Sequence, residues 1–361
     1  MADICIYAVG DRAHGMGHVV RCLTLADALK ASGFGVVFAT QHETPGYERI
    51  RRSPYYVTDY APDDVSWTNR ARWCSACIID VENGPTRAML VAARKFGKVV
   101  VIGGSGYIMT YREAIREMAD LFIAQTILPN DADVTGTEHI IIRPEYAQCK
   151  PSPDGHVLIS MGGSDPHDTT AAVLDALTGT DRALTIVNGP ASESTAGFIE
   201  SDTVRVIHAP DSLESYMNGA ALFIGALGMS AFEAAAAGVP ALLTAWSADH
   251  ERTAQELERR GCAVSLGTWD SFDGNTLRSS MGDILNSEMH WLEMSRAGKM
   301  LVDGKGAERV TQVIARLIAG ESVMVADTHA DRVIHAEATL RAVGGHPEGG
   351  RIRRKVKRGQ S

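Results

Sequence analysis

Short apolar runs alternate along this chain with stretches whose apolar positions recur every three or four residues. Ile4–Val9, Gly35–Ala39, Ala76–Asp80 and Lys98–Ile102 read as buried strands in the first half. Tyr55–Val57, Leu121–Ala124 and His139–Ile142 read as shorter extended pieces, and Thr44–Thr68 otherwise as loop. Val19–Lys30, Thr86–Phe96 and Tyr111–Met118 carry the helical period between them. The alternation restarts after Cys149–Gly155, a proline-bearing linker. His156–Ser160, Ala183–Val187, Val204–Ile207, Ala221–Ile224, Ala241–Thr244 and Ala263–Leu266 are the later strands. Thr169–Leu177, Ser212–Asn218, Ala231–Ala237, His250–Arg260, Met281–Leu285 and Ala307–Ile318 are the later helices. Strands separated by helices imply right-handed crossovers and parallel sheets. The expected organisation is therefore α/β: a first domain over 1–148, a linker over 149–155, a second domain over 156–320 and an extension over 321–361. Two such halves would face each other across a cleft.

Composition narrows the class. The 361 residues are 45% hydrophobic and 22% charged, an ordinary globular balance. A formal charge of −9 argues against a protein-wide nucleic-acid footprint. The local exception is Arg351–Arg358, with six positive residues in eight, after the glycine-rich 344–350 and a candidate helix, Val333–Val343. It reads either as a solvated tail or as a phosphate-seeking one. The six cysteines are scattered, and Cys74-Ser-Ala-Cys77 lacks the second pair that a zinc site needs. No run reaches the ~20 apolar residues that span a bilayer, and no signal segment opens the chain, so the cytoplasm is the expected compartment.

Candidate chemistry gathers at two strand-to-helix loops. In the first, Gly15-Met16-Gly17-His18 joins the first strand to the first helix, where open α/β sheets hold ligands. Gly15 and Gly17 permit positive φ and close backbone approach. His18 at the helix start feels a field that disfavours the imidazolium, so a neutral ring could accept a proton. Arg21 lies one turn on. The third glycine of a dinucleotide fingerprint and the lysine of a P-loop are both missing. In the second, Gly228-Met229-Ser230 precedes the alanine-rich helix, whose amides suit an anion. Ser230-Ala-Phe-Glu233 reads equally as a capping box or as a carboxylate for ribose hydroxyls. Gly162-Gly163-Ser164 forms a glycine turn after a strand, with Asp168 or Thr169 as the helix cap or the turn as a cleft wall. Asp249-His250 opens a further helix, as a cap or as a hydrogen-bonding pair for a donor.

Taken together, three motifs resemble a known family. Gly15-Met16-Gly17-His18-Val19-Val20-Arg21-Cys22-Leu23 is similar to the N-terminal signature of the UDP-sugar hydrolase of pseudaminic acid biosynthesis. Ile142-Arg-Pro-Glu-Tyr146 and Ile159-Ser-Met-Gly-Gly-Ser-Asp-Pro166 resemble its mid-chain segments. Gly225–Glu233 through Pro240 resembles its nucleotide-binding segment, and also that of the peptidoglycan glycosyltransferase that makes lipid II. The resemblance covers roughly residues 1–320 and implies a GT-B fold: two Rossmann-like domains holding a UDP-sugar in the cleft, mainly through the second. By the same likeness His18 matches the catalytic base, Glu233 the ribose-binding glutamate, and Gly228-Met229-Ser230 the diphosphate turn. The chain departs from the hydrolase where Gly103-Gly-Ser-Gly106 replaces paired aspartates and Asp249-His250 replaces Asn-Gln.

These departures favour a UDP-sugar-dependent glycosyltransferase, with His18 deprotonating an acceptor hydroxyl. Its acceptor is a saccharide by default, or a modified nucleic-acid base if the Arg351–Arg358 tail is taken as a lead. A UDP-sugar hydrolase and a non-catalytic nucleotide- or nucleic-acid-binding protein are the alternatives. With no Asp-x-Asp pair at a strand end, neither a metal nor a cofactor besides the donor is expected.

Overall fold

Strands made almost wholly of Val, Ile, Leu and Ala must be covered on both faces, which is the environment of a parallel sheet flanked by helices. The computed structural model describes residues 3–11, 15–62, 64–82, 84–104, 113–130, 132–190, 192 and 201–323. In it β1 (Asp3–Ala8), β2 (Gly35–Gln41), β3 (Tyr56–Tyr60), β4 (Ala76–Asp80), β5 (Lys98–Gly103) and β6 (Leu121–Ala124) form one sheet, ordered β3-β2-β1-β4-β5-β6. A second sheet holds β7 (His156–Ser160), β8 (Leu184–Asn188), β9 (Val204–His208), β10 (Ala220–Ala226), β11 (Ala241–Ala245) and β12 (Ala263–Thr268). Its order is β12-β11-β10-β7-β8-β9. Pairing is parallel at every step of both ladders.

Numbered within its own lobe, each sheet runs 3-2-1-4-5-6, the order of dinucleotide-binding doubly wound folds. Strand order therefore reverses between β1 and β4, and again between β7 and β10. Beyond the carboxyl ends of those strands a crevice opens, because the flanking crossovers leave in opposite directions. The first helix, Gly17–Ala31, follows β1, and the alanine-rich helix, Met229–Ala237, follows β10. Both start at a crevice.

Alanine suits the second of these helices because it is buried all round. Ala231 through Ala237 are all buried between the sheet, the helix Glu288–Leu301 and the segment Pro144–Gln148. A Cβ at Gly298 would stand 2.7 Å from the Ala235 carbonyl, so only glycine lets the neighbouring helix approach this closely. Gly238, at φ 75°, closes the turn in the left-handed region, and Val239 N–H returns to the Ala234 carbonyl at 2.9 Å.

Several expected elements move. Pro45–Arg51 is a helix with Thr44 as its cap, because proline is well placed in a first turn. His139–Ile142 joins neither sheet; it runs as a short 3-10 turn and irregular chain pinned by Gln125. Two full helices, Gly274–Leu285 and Glu288–Leu301, occupy the stretch where only Met281–Leu285 carried a clear period. The last helix, Gly306–Ile318, packs back on Gly17–Ala31 in the first lobe. It therefore lies across from the domain to which its position in the chain assigns it. Ser105, Gly106 and Val333–Val343 lie outside the described residues, as does Arg351–Arg358.

Candidate active site

The two crevices open into one cavity of about 650 Å³, within the size range of small-ligand sites. Gly15, Gly17, His18, Arg21 and Glu82 line it from the first lobe. Gly162, Gly163, Gly228, Met229, Ser230, Glu233, Asp249 and His250 line it from the second. Ser164 is buried outside the lining. All the other residues expected from the sequence are thus gathered in one place, although together they span more than 200 positions of the chain.

The lobes come closest at the glycines. A Cβ on Gly163 would meet Met16 N at 3.2 Å and Gly15 Cα at 3.4 Å. One on Gly17 would meet Met229 Cγ at 3.6 Å. Gly15 sits at φ 75° and Gly162 at φ 86°, so both need the left-handed region. Gly17 does not, because it is the first residue of a right-handed helix; what it contributes is space. Gly189, which drew no attention in the sequence, packs its backbone onto the carbonyls of Gly162 and Gly163. Gly228 is extended, and nothing stands within 4 Å of the Cβ it lacks. The helices starting at Gly17 and Met229 have no side-chain cap, so their leading amides are available at the cleft.

A charged cluster lies under the first helix. His18 Nδ1 is 2.7 Å from Asp80 Oδ1, and Nε2 is 2.6 Å from Glu82 Oε2. Arg21 donates to both oxygens of Asp80 from Nε and Nη2, each at 2.5 Å, and the Cys22 thiol reaches Oδ2 at 3.4 Å. Arg21 Nη2 also stands 2.8 Å from His18 Nδ1. Both atoms converge on Asp80 Oδ1, and the ring tautomer decides whether Nδ1 donates to that oxygen or accepts from Arg21. Burial alone would raise the Asp80 carboxyl; the Arg21 and His18 charges overcome it and hold Asp80 well below the usual carboxylate range. Burial and the Arg21 charge would lower His18, yet Asp80 and Glu82 outweigh them and raise it. The hydrogen bond from His18 lowers Glu82.

The expectation of a neutral imidazole took account of the helix start alone. The helix start does disfavour charge, but two carboxylates on the ring are stronger than a terminal dipole. Asp80 stood in the sequence only as an acid ending a strand, and Glu82 carried no signal at all. Their position beside His18 follows from β4 pairing with β1.

Glu233 forms no capping box. The helix cap is Gly228, and the Glu233 side chain is turned into the cavity toward Tyr146 and Arg143. Burial raises its carboxyl to about 7, with Tyr146 and Arg143 opposing. The Tyr146 hydroxyl lies 3.2 Å from Ser212 Oγ and accepts from Leu213 N at 3.1 Å. Asp249 is not the cap of its helix; Ser247 is, accepting from His250 N at 3.2 Å, while Asp249 pairs with Arg252. Asp168 is the N-cap residue of the helix after the other glycine turn, but its side chain makes no cap bond. Asp165 accepts from the amides of Thr169 and Thr170.

Among the described residues, three buried polar atoms of the lining have no hydrogen-bond partner: Asn188 Nδ2, Trp246 Nε1 and His250 Nδ1. Such groups are ordinarily satisfied in folded proteins. All six cysteines are buried and none is in a disulfide, and among the described residues no cluster of His, Cys, Asp and Glu could hold a metal. No described helix is long and apolar enough to cross a membrane.

No protein-family model matches the chain. Among curated proteins it is 24% identical over 339 residues to the spore coat polysaccharide biosynthesis protein SpsG of Bacillus subtilis (strain 168), covering 88% of this chain and 98% of SpsG. Among solved structures it is similar to MurG of Acinetobacter baumannii, with a TM-score of 0.63 at 15% identity, over 88% of this chain and 100% of MurG. It is also similar to the spinosyn rhamnosyltransferase SpnG in complex with thymidine diphosphate, with a TM-score of 0.60 at 15% identity, over 88% of this chain and 100% of that one. The fold is GT-B: two Rossmann-like lobes with parallel sheets facing across a cleft.

Proposed function

We propose that this chain is a glycosyltransferase that moves a sugar from a nucleoside diphosphate, with UDP as the nucleotide, to an acceptor hydroxyl. One observation carries the reading. The uncapped helix start at Gly228–Ser230 and the His18–Glu82 pair line the same cavity from opposite lobes. The amides at Gly228–Ser230 suit a departing diphosphate, since they are fixed before charge develops there. In this reading Glu233 would hold the ribose hydroxyls, and the His18–Glu82 pair would handle the proton of the attacking group. The reading calls for no metal or cofactor besides the donor.

The description of SpsG as a polysaccharide biosynthesis protein supports a saccharide acceptor. The rhamnosyltransferase with thymidine diphosphate supports a nucleotide in this cleft, and it makes TDP-sugars the second donors to try. A GT-B scaffold hosts more than one reaction, so fold alone does not separate transfer from hydrolysis. The cluster around His18 supports chemistry at the cleft, since it sets a titratable ring and a carboxylate side by side there. No part of the reading rests on Arg351–Arg358.

The test is a donor screen with mass-spectrometric readout. Purified protein is incubated with UDP- and TDP-sugars, with and without saccharide acceptors. A new glycoside plus free nucleoside diphosphate is the expected result. Free sugar at equal rate without acceptor would make the protein a hydrolase. No turnover of any donor would leave only the binding reading.

A further inference from the structure

We infer that Glu82 is the group that takes the proton from the incoming hydroxyl, and that His18 is a positively charged positioning residue behind it. The inference rests on the transfer reading above. It starts from geometry: each ring nitrogen of His18 lies within hydrogen-bond distance of a carboxylate, at 2.7 Å and 2.6 Å. Ionised carboxylates only accept, so both contacts are hydrogen bonds when both ring nitrogens carry protons. Asp80 is fully buried and also receives two bonds from Arg21, an arrangement only the ionised form can hold. Glu82 is 49% exposed at the cavity, where water on one side and an imidazolium on the other keep it ionised.

An imidazole with both nitrogens protonated has no lone pair to offer. The nearest lone pairs facing the cavity belong to Glu82. Its Oε2 holds His18, and no hydrogen bond among the described residues engages Oε1. The charged and titratable groups facing this pair come from three elements. Arg21 and Cys22 are on the helix of His18, Asp80 ends β4, and Asp249 and His250 belong to the helix Ala248–Arg259 of the other lobe. Burial lowers His250 against the pull of Glu82 and Asp249, so it adds little competing positive charge.

The step balances without a further reactant. Glu82 Oε1 takes the hydroxyl proton while the hydroxyl oxygen forms its bond to the anomeric carbon. The bond from that carbon to the diphosphate oxygen breaks, and its electron pair leaves on the nucleoside diphosphate. The protonated Glu82 then returns its proton to water. His18 holds Oε2 throughout, and Asp80 keeps the imidazolium charged.

The pH profile of kcat/KM separates this from a histidine base by its sign. A neutral His18 base would lose about tenfold per unit as pH drops below the raised value of the ring. A Glu82 base held by an imidazolium stays level through that range, and activity falls instead as pH rises and His18 loses its proton. The expected result on the full chain, with its best donor and acceptor, is the second profile. Glu82→Gln should lose roughly 10²–10⁴-fold in kcat while calorimetry shows unchanged UDP affinity. Glu82→Asp, with its shorter reach, should keep part of the rate and the same profile shape. Nitrogen-15 NMR should report His18 as an imidazolium at about pH 6, with its titration moving to lower pH in Glu82→Gln. Activity that rises with pH through this range, or a Glu82→Gln enzyme within about threefold of wild type, returns the proton to His18 and overturns the inference alone. A wild type that turns over no donor overturns the transfer reading, and the inference with it.

Discussion

Removing the charge of Asp80 should weaken the first lobe more than any other single change in the cleft. Asp80 has no exposed surface and accepts from Arg21 Nε and Nη2, from His18 Nδ1 and from the Cys22 thiol. Asp80→Asn keeps the volume, so no cavity term enters. It leaves the Arg21 guanidinium, 7% exposed, without a counter-ion. Breaking a buried pair by removing one partner costs about 3–5 kcal/mol. At about 2–4 °C per kcal/mol for a lobe of this size, the melting transition should fall by roughly 6–20 °C. Calorimetry at neutral pH measures it. Arg21→Met is the control and should cost less, because Asp80 then still faces the His18 imidazolium. The pH dependence checks the same cluster. The Asp80 contribution is present above its ordinary value of about 3.9 and is lost as pH falls through its lowered folded value. The His18 contribution is present below about 6.5 and is lost as pH rises through its raised folded value. Wild type should therefore lose stability on the alkaline side of that value, and Asp80→Asn should lose less. An Asp80→Asn protein within about 1 kcal/mol of wild type, or an Arg21→Met that costs more, would refute the account of this cluster.

Further outcomes follow from other parts of the cavity and its frame. In the proposed role, Glu233, raised to about 7 by burial, should hold ribose hydroxyls more strongly when ionised; UDP affinity should strengthen by up to about tenfold from about pH 6 to pH 8, and Glu233→Gln should abolish that dependence in calorimetric titrations. Ionising a buried carboxylate costs stability, so Glu233→Gln should melt higher than wild type at alkaline pH without ligand. Gly306→Ala should melt lower: the new Cβ collides with the Ile140 carbonyl, and the clash outweighs the gain of about 1 kcal/mol in helix propensity; a stabilised variant would contradict the packing of the last helix. All six thiols should resist alkylation in the native protein and react only on unfolding, with Cys22 the most protected because burial and then Asp80 push its thiol up.

The chain by itself determined its class and the address of its site. Alternation of apolar runs with helical periods specifies parallel α/β lobes, because only a sheet covered on both faces can bury strands such as Ala76–Asp80 or Ala241–Ala245. Glycines after the first strands of each half mark where backbone must approach backbone, and those turns do meet across the cleft at Gly15, Gly17 and Gly163. What local pattern cannot carry is the identity of partners brought from elsewhere in the chain. The capping box at Ser230 and Glu233 and the cap at Asp249 are valid local solutions. They go unused because Tyr146 and Arg143 draw Glu233 into the cavity, and because Ser247 caps the helix first. The charge of His18 is the clearest case. Its sequence neighbours give only the field of a helix start, whereas strand pairing sets Asp80 and Glu82 against both ring nitrogens. A pKa depends on charges within a few ångströms in space, and proximity of that kind is decided by the fold.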